Sequence, residues 1–404
     1  MPTQHFNGTI IIGAGPSGLM IADILSAAGK KVRIYESMPT PGRKFLMAGR
    51  GGLNITHSEG FDQFVSRYGE ASATLYSLLK TFGPKEVIEW MTQLGQESFI
   101  GSSGRVFPKA MKAAPLLRAW LDRLKNQGAE LITRHRCIDW QDNHLTLESP
   151  DNTFTVTADQ IVFATGGGSW KKLGTDGQWT ALFKSNQIKI NPLVPSNCGF
   201  ISPWSDHLRE HYAGKPLKGV NLSTELRQQK GDLVLTKYGL EGGLLYAFSA
   251  ELRDQLQSKR RAKISLDLMP DIQTDQLGQR LSKPKGRNSL SNHLRKSGIA
   301  PVKSALVRDC CANLDKDDMN AWAQALKSCP ILLTDMRPMD EAISTAGGVS
   351  FDELNEDFSL KSYPNVFCSG EMIDWDAPTG GYLLTACLSM GFHLGHAILA
   401  RHDG

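Results

Sequence analysis

The sequence predicts a discontinuous α/β fold, interrupted by an inserted β-rich module and an inserted helical module. Two observations predict it. Gly13-x-Gly15-x-x-Gly18 lies between an apolar strand and an apolar helix, and Glu36 ends the next strand 21 residues after Gly15. From Val366 the same texture of strand followed by glycine returns after a long stretch of different character. The first pattern is Rossmann-like. The expected domains are residues 1–190 with 331–404, a β-rich module over 191–251 and a basic helical module over 252–330.

Composition narrows the class. The 404 residues are 41% hydrophobic and 21% charged, which excludes wholesale disorder and a fibrous repeat. A net charge of +4 is too small to announce a nucleic-acid partner by itself. No apolar run of roughly 18 residues stands out, so no transmembrane span is expected. The polar start, Met1 to Gly8, does not read as a signal peptide. Seven cysteines, an odd number in a long chain, argue against a disulfide framework and for the cytoplasm. No C-x-x-C or H-E-x-x-H occurs, so no metal site is expected, and adjacent Cys310-Cys311 read as two packed small residues.

The elements follow in order. Thr9 to Ile12 is a short apolar strand, Leu19 to Ala28 a helix stopped by Gly29, and Lys31 to Tyr35 a second strand. Apolar spacing predicts helix over Leu75 to Leu94 and over Ala113 to Leu124, with a loop at Gly104 to Pro108 between them. Leu131 to Trp140, Leu145 to Leu147 and Phe154 to Val156 read as strands of a small sheet, and Ile161 to Ala164 as a separate buried strand. Leu222 to Leu226 and Leu233 to Thr236 are strand-like. Leu252 to Leu326 is charged and helical in period, and Leu383 to Leu399 is an apolar helix.

Each part of the first motif has a mechanical reason. Gly13 permits the tight turn, Gly15 lets backbone approach a pyrophosphate, and Gly18 lets helix pack closely on strand. The helix N-terminus offers free N–H donors to phosphates, and Glu36 accepts from ribose hydroxyls. This fits NAD or FAD. Three later features favour FAD: the strand ending in Thr165-Gly166-Gly167-Gly168, the strand before Gly370-Glu371, and Thr379-Gly380-Gly381-Tyr382 ahead of an apolar helix. That last helix N-terminus suits negative charge on the pyrimidine of a reduced flavin.

From end to end the chain resembles the BaiN/YhiN-like family of FAD-dependent flavoproteins, the aminoacetone-oxidase-type FAD-binding enzymes. The resemblance is carried by GAGPSGL (13–19), PGRKFLMAGRGGLNITH (41–57), GRVFPKAMKA (104–113), ATGGGSW (164–170), TAGGVSFDEL (345–354) and CSGEMIDWDAPTGGYLL (368–384). It implies a Rossmann-like FAD-binding domain of the GR2 type. It also implies a cofactor lined by Gly13, Ala14, Gly15, Gly18 and Glu36, by Arg43 and Lys44, by Gly166, and by Gly370, Glu371 and Asp374. Gly380, Gly381 and Leu383 complete that lining. Pro16, Ser17, Ser37, Asn54, Thr165, Gly167 and Tyr382 are further cofactor candidates in the same segments, and Cys137 offers backbone to the adenine. Where the family usually has Gly-Arg-Cys-Asn, this chain has Gly51-Gly52-Leu53-Asn54 with Arg50 nearby, so no cysteine role carries over.

Around the flavin, Arg50, Asn54, His57 and Tyr382 are the candidates for chemistry, with Arg105 and Lys109 as candidates for holding an anionic group. Only one dinucleotide fingerprint is visible, so NAD(P)H is expected as a transient electron donor without a domain of its own. The segment from Arg253 to Lys303 holds twelve basic and four acidic residues and no aromatic ones, a net +8 against −4 for the rest. It suits a phosphate-rich partner such as RNA. The resemblance implies, as the leading expectation, hydride transfer from reduced flavin to an activated C=C bond, since members of that family are linked to dihydrouridine formation in ribosomal RNA and to reduction of unsaturated steroid acids. The basic segment makes uridine in RNA a candidate substrate. The alternatives are oxidation of a small amine and a non-catalytic flavin- and RNA-binding protein.

Overall fold

The computed structural model describes residues 4–402 and divides into two compact units, Met1–Val194 with Ile343–Gly404, and Pro195–Ala342. The sequence expected two inserted modules, over 191–251 and 252–330; the structure has one unit there with one apolar core, and 331–342 belong to it.

In the first unit, β1 (Gln4–Ile12) is followed by helix α1 (Pro16–Ala27), strand β2 (Val32–Glu36) and helix α2 (Arg43–Ala48). β1 pairs in parallel with β2 on one side and with Thr153–Phe163 on the other. Glu130–Thr133 extends the sheet beyond β2, and Tyr363–Cys368 extends it beyond Thr153–Phe163, both in parallel. Ile10 and Ile11 are fully buried, as a strand covered on both faces requires. Thr153–Phe163 is one continuous strand where two were expected. Its first half closes an antiparallel meander with His144–Glu148 and Arg136–Gln141, and its second half joins the parallel sheet.

The helical stretch Leu75 to Leu94 is two helices, Ser72–Thr81 and Pro84–Gln93. Gly83 and Pro84 break it, because Pro favours the first helical position and cannot continue a preceding helix. The expected loop at 104–108 is instead the strand Arg105–Pro108. It pairs with Thr56–His57 on one side and Ser98–Ile100 on the other.

The helix Tyr382–His402 packs along α1. Gly391 and Gly395 make this close approach possible: a Cβ on Gly391 would lie 2.6 Å from the Ser17 carbonyl oxygen, and one on Gly395 2.7 Å from Ile24. By length and composition this helix is long and apolar enough to cross a membrane, over the stretch the sequence predicts as an apolar helix from Leu383 to Leu399. Ala386, Leu388, Met390, Leu394 and Ile398 are buried in the unit's own core, which accounts for its apolar composition.

The second unit is a seven-stranded antiparallel sheet with helices packed on it. Ala262–Asp267 is one of its strands, between Pro216–Ser223 and Cys329–Leu333. Ala262, Ile264 and Leu266 are buried while Lys263 is exposed, an alternation at strand period inside a stretch expected to be helical.

Candidate functional site

The site begins at the turn between β1 and α1. A Cβ on Gly13 would lie 2.3 Å from the Ala164 carbonyl oxygen, and one on Gly18 2.1 Å from the Gly13 carbonyl oxygen, so both positions are closed to any side chain. Gly15 differs: its Cβ would meet nothing within 4 Å. Gly15 is the N-cap of α1 and supplies no side-chain cap, and Pro16 takes the first position, where an N–H would have no partner in the helix. The amides of Ser17 and Gly18 therefore have no partner within the helix and are the donors its start offers.

Glu36 organises the facing edge. One carboxylate oxygen accepts from the Ala14 amide at 3.0 Å, and the other from the Met38 amide at 2.8 Å and the Ser37 hydroxyl at 3.3 Å. Gly42 donates its amide to the Ala14 carbonyl at 3.0 Å, which brings α2 to the same turn. The first residues of α2 then diverge. Lys44 reaches Glu371 at 2.8 Å and Ser169 at 2.9 Å. Glu371 is 8% exposed and also accepts from the Thr345 amide at 3.0 Å. Arg43 turns instead to a groove it shares with Arg50 and Lys112.

The other expected residues have local partners of their own. Ser17 and Ser369 share a hydrogen bond of 2.6 Å beside Gly370. Thr165 lies against Met372, and Gly167 approaches Glu371 at 3.4 Å. The Asp374 carboxylate accepts from the side-chain amide of Asn191 at 2.5 Å. The Gly380-Gly381 turn is packed tightly: a Cβ on Gly381, whose φ is +91°, would come within 2.5 Å of the Thr56 main chain. Thr385 donates to Thr56 at 2.8 Å, so the start of the long helix and the segment carrying Asn54 are joined. Half-buried Cys137 lies on the meander, where burial pushes its thiol up to about 12. It stays protonated, consistent with a purely backbone part.

Asn54 carries a buried side-chain oxygen with no partner in the protein. An unsatisfied buried acceptor is expensive, and a bound group with an N–H or O–H at that place removes the cost. With the empty space at Gly15, the uncapped start of α1 and the Glu36 carboxylate, the donor set fits FAD. Gly13–Gly18 would hold its pyrophosphate, Glu36 its ribose, and Asn54 with the start of the Tyr382–His402 helix its ring. When bound, that cofactor supplies hydride chemistry. Leu53, at the position of the family cysteine, is fully buried in the apolar core.

The candidates for acid–base work are less free than the sequence suggested. The ring of His57 has both nitrogens engaged: Nε2 with the Ser103 carbonyl at 3.0 Å, and Nδ1 accepting from the Glu59 amide at 3.2 Å. It stacks on Tyr382 with ring centres 5.7 Å apart. The Tyr382 hydroxyl donates to Glu59, and its carbonyl accepts from the Tyr68 hydroxyl at 2.8 Å. Burial and the Glu59 carboxylate both push the Tyr382 phenol upward. Lys109 pairs with Glu97 at the surface, while Arg105 sits on the strand beside His57.

Sequence reasoning missed Glu59 and Arg67. Arg67 grips Glu59 through Nη2 at 2.8 Å and Nε at 3.2 Å. Burial would raise the Glu59 carboxyl, but the guanidinium and the Tyr382 hydroxyl outweigh it and hold it below the ordinary value. Glu59 and Tyr382 are 323 positions apart in the chain, so no local pattern announces their pairing.

A Rossmann unit with this glycine turn, its carboxylate at the end of β2 and a second glycine turn ahead of a long helix defines an FAD-dependent oxidoreductase. The chain belongs to the HI0933-like protein Rossmann domain family, which matches residues 7–397. It is 25% identical over 425 aligned positions to a 3-dehydro-bile acid delta(4,6)-reductase of Clostridium scindens, covering 97% of this chain and 98% of that protein. It is 24% identical over 392 positions to a ribosomal RNA dihydrouridine synthase of Escherichia coli K12, covering 92% and 93%. In fold it is similar to the 3-ketosteroid delta1-dehydrogenase of Sterolibacterium denitrificans, with a TM-score of 0.56 at 11% identity, covering 99% of this chain and 100% of that one.

Proposed function

We propose that this oxidoreductase saturates an activated carbon–carbon double bond, and that its acceptor is uridine in RNA. FAD held by Gly13–Gly18, Glu36 and Asn54 would supply hydride for one carbon of the bond while a proton goes to its neighbour, with NAD(P)H as the reductant that would restore the cofactor. Seven free cysteines suit the reducing cytoplasm in which such a donor is available.

The observation that carries the RNA reading is the charge on the second unit. Lys259, Arg260, Arg261 and Lys263 lie together at the end of the Ser249–Lys259 helix and the start of the Ala262–Asp267 strand, all exposed. Arg280, Lys283, Arg287, Arg295 and Lys296 are exposed in the same unit. Such a surface attracts a polyanion without reading its sequence. Two relatives spanning nearly the whole chain support reduction, one named a reductase and the other a dihydrouridine synthase.

The test is product analysis. FAD-loaded protein, NADPH and ribosomal RNA lacking dihydrouridine are incubated without oxygen, and the nucleosides are separated by mass. The expected result is dihydrouridine in proportion to the NADPH consumed. Unchanged uridine, together with ready reduction of a conjugated enone, would overturn the RNA acceptor and keep the reductase.

A further inference from the structure

We propose that the groove beside α2 is a docking site for the phosphorylated adenosine end of NADPH. The proposal rests on the reductase reading above, which requires an electron donor. The groove has a volume of about 530 Å³, within the range of small-molecule sites. Arg43, Arg50 and Lys112 line it, and no acidic residue does. Among the described residues the side chains of Arg43 and Arg50 have no hydrogen-bond or ion-pair partner. Among those residues the Lys112 amine bonds the Arg50 carbonyl alone, at 3.2 Å. Three cations facing one space repel one another, and a dianion there relieves the repulsion.

The groove also contains the start of the 14-residue helix Ala113–Asn126. Its N-cap, Lys112, provides no side-chain cap, and Pro115 has no amide, so the Ala113 and Ala114 amides are the free donors. Guanidinium forks with helix-start amides recognise phosphate. The remaining wall is apolar, with Leu46, Met47 and Leu173, and suits the flat face of a purine. A phosphate beside an adenine on an apolar wall is what separates NADPH from NADH.

The groove lies next to the cofactor cradle and shares Arg43, which the resemblance places at the cofactor. No residue from Gly13 to Gly18 lines the groove, nor does Glu36. Lys44, next to Arg43 in sequence, is turned to Glu371 and Ser169.

The test uses FAD-loaded protein and two probes, adenosine 2′,5′-bisphosphate and adenosine 5′-monophosphate, with binding followed by calorimetry. The bisphosphate is expected to bind at least about tenfold more tightly and to compete with NADPH. Lys112→Ala and Lys112→Glu are each expected to weaken it by about tenfold or more while the ratio of FAD to protein stays that of the parent. Equal binding of the two probes would overturn the proposal, as would variants that bind the bisphosphate unchanged. Loss of FAD from Lys112→Ala would also overturn it, by making the groove part of the cofactor site. Binding is read without flavin reduction, so a donor that fails to bleach the flavin defeats the reductase reading separately.

Discussion

Glu59 joins two parts of the site that the sequence does not link. It ties Arg67 to Tyr382, and Tyr382 is the first residue of the helix that faces the flavin space. Glu59→Gln removes the charge and keeps the shape. Hydrogen bonds to a charged group contribute about 2 kcal/mol each, so the variant should be less stable by about that amount in denaturant unfolding at neutral pH. The folded Glu59 carboxyl lies below its ordinary value, so its contribution is full above the ordinary carboxylate range of about 4 and disappears as pH falls through the folded value. The gap between parent and variant should therefore close in acid. A gap independent of pH would show that packing, not charge, holds Tyr382. Neither the role of Glu59 nor the orphaned oxygen of Asn54 was legible in the sequence. The first depends on a partner hundreds of residues away, and the second on burial that only the assembled unit creates. Glu36 was legible because its partners, Ala14 and Met38, lie within one βαβ unit.

At the scale of the element, α1 and its preceding turn make the most direct contrast. Gly15 and Gly18 belong to one motif but do different things. A methyl at Gly15 enters space that the protein does not use, at an ordinary φ of −84°. Gly15→Ala should fold with stability within about 1 kcal/mol of the parent and bind FAD more weakly, read as the ratio of flavin to protein after gel filtration. A methyl at Gly18 meets the Gly13 carbonyl oxygen at 2.1 Å. Gly18→Ala should cost about 2 kcal/mol or more of stability, as overpacked sites do. If both variants lost stability equally, the space at Gly15 would not be the pyrophosphate's. The elements around this turn were legible because strand, glycine turn and helix follow one another in a fixed period. The strand Ala262–Asp267 was not, because Arg260, Arg261 and Lys263 hide a short apolar alternation among charges. The break at Gly83-Pro84 was present in the sequence, but helical periodicity on both sides bridged it.

At the scale of the whole molecule the chemistry and the charge belong to different units. The first unit holds the flavin cradle, and the second the exposed basic cluster of Lys259, Arg260, Arg261 and Lys263. Reversing the charges at Lys259, Arg260, Arg261 and Lys263 should weaken RNA binding and lower its salt dependence, with log affinity against log salt flattening by about 0.7 for each phosphate no longer neutralised. The flavin spectrum should be unchanged, since none of these residues lies in the unit with the cradle. RNA affinity equal to the parent's would remove the second unit from substrate binding. The fold class was legible because the first and last segments share one strand-and-glycine texture. The single core of the second unit was not, since its sheet gathers strands from Phe200 to Met336 across helices of several lengths.

Anaerobic mixing of the FAD-loaded protein with NADPH, then with NADH, followed at ~450 nm where oxidised flavin absorbs, decides whether this cradle works as a reductase. Rapid bleaching by NADPH, reversed when the RNA acceptor is added, is the predicted result. A flavin that stays oxidised with both donors would contradict the reductase reading.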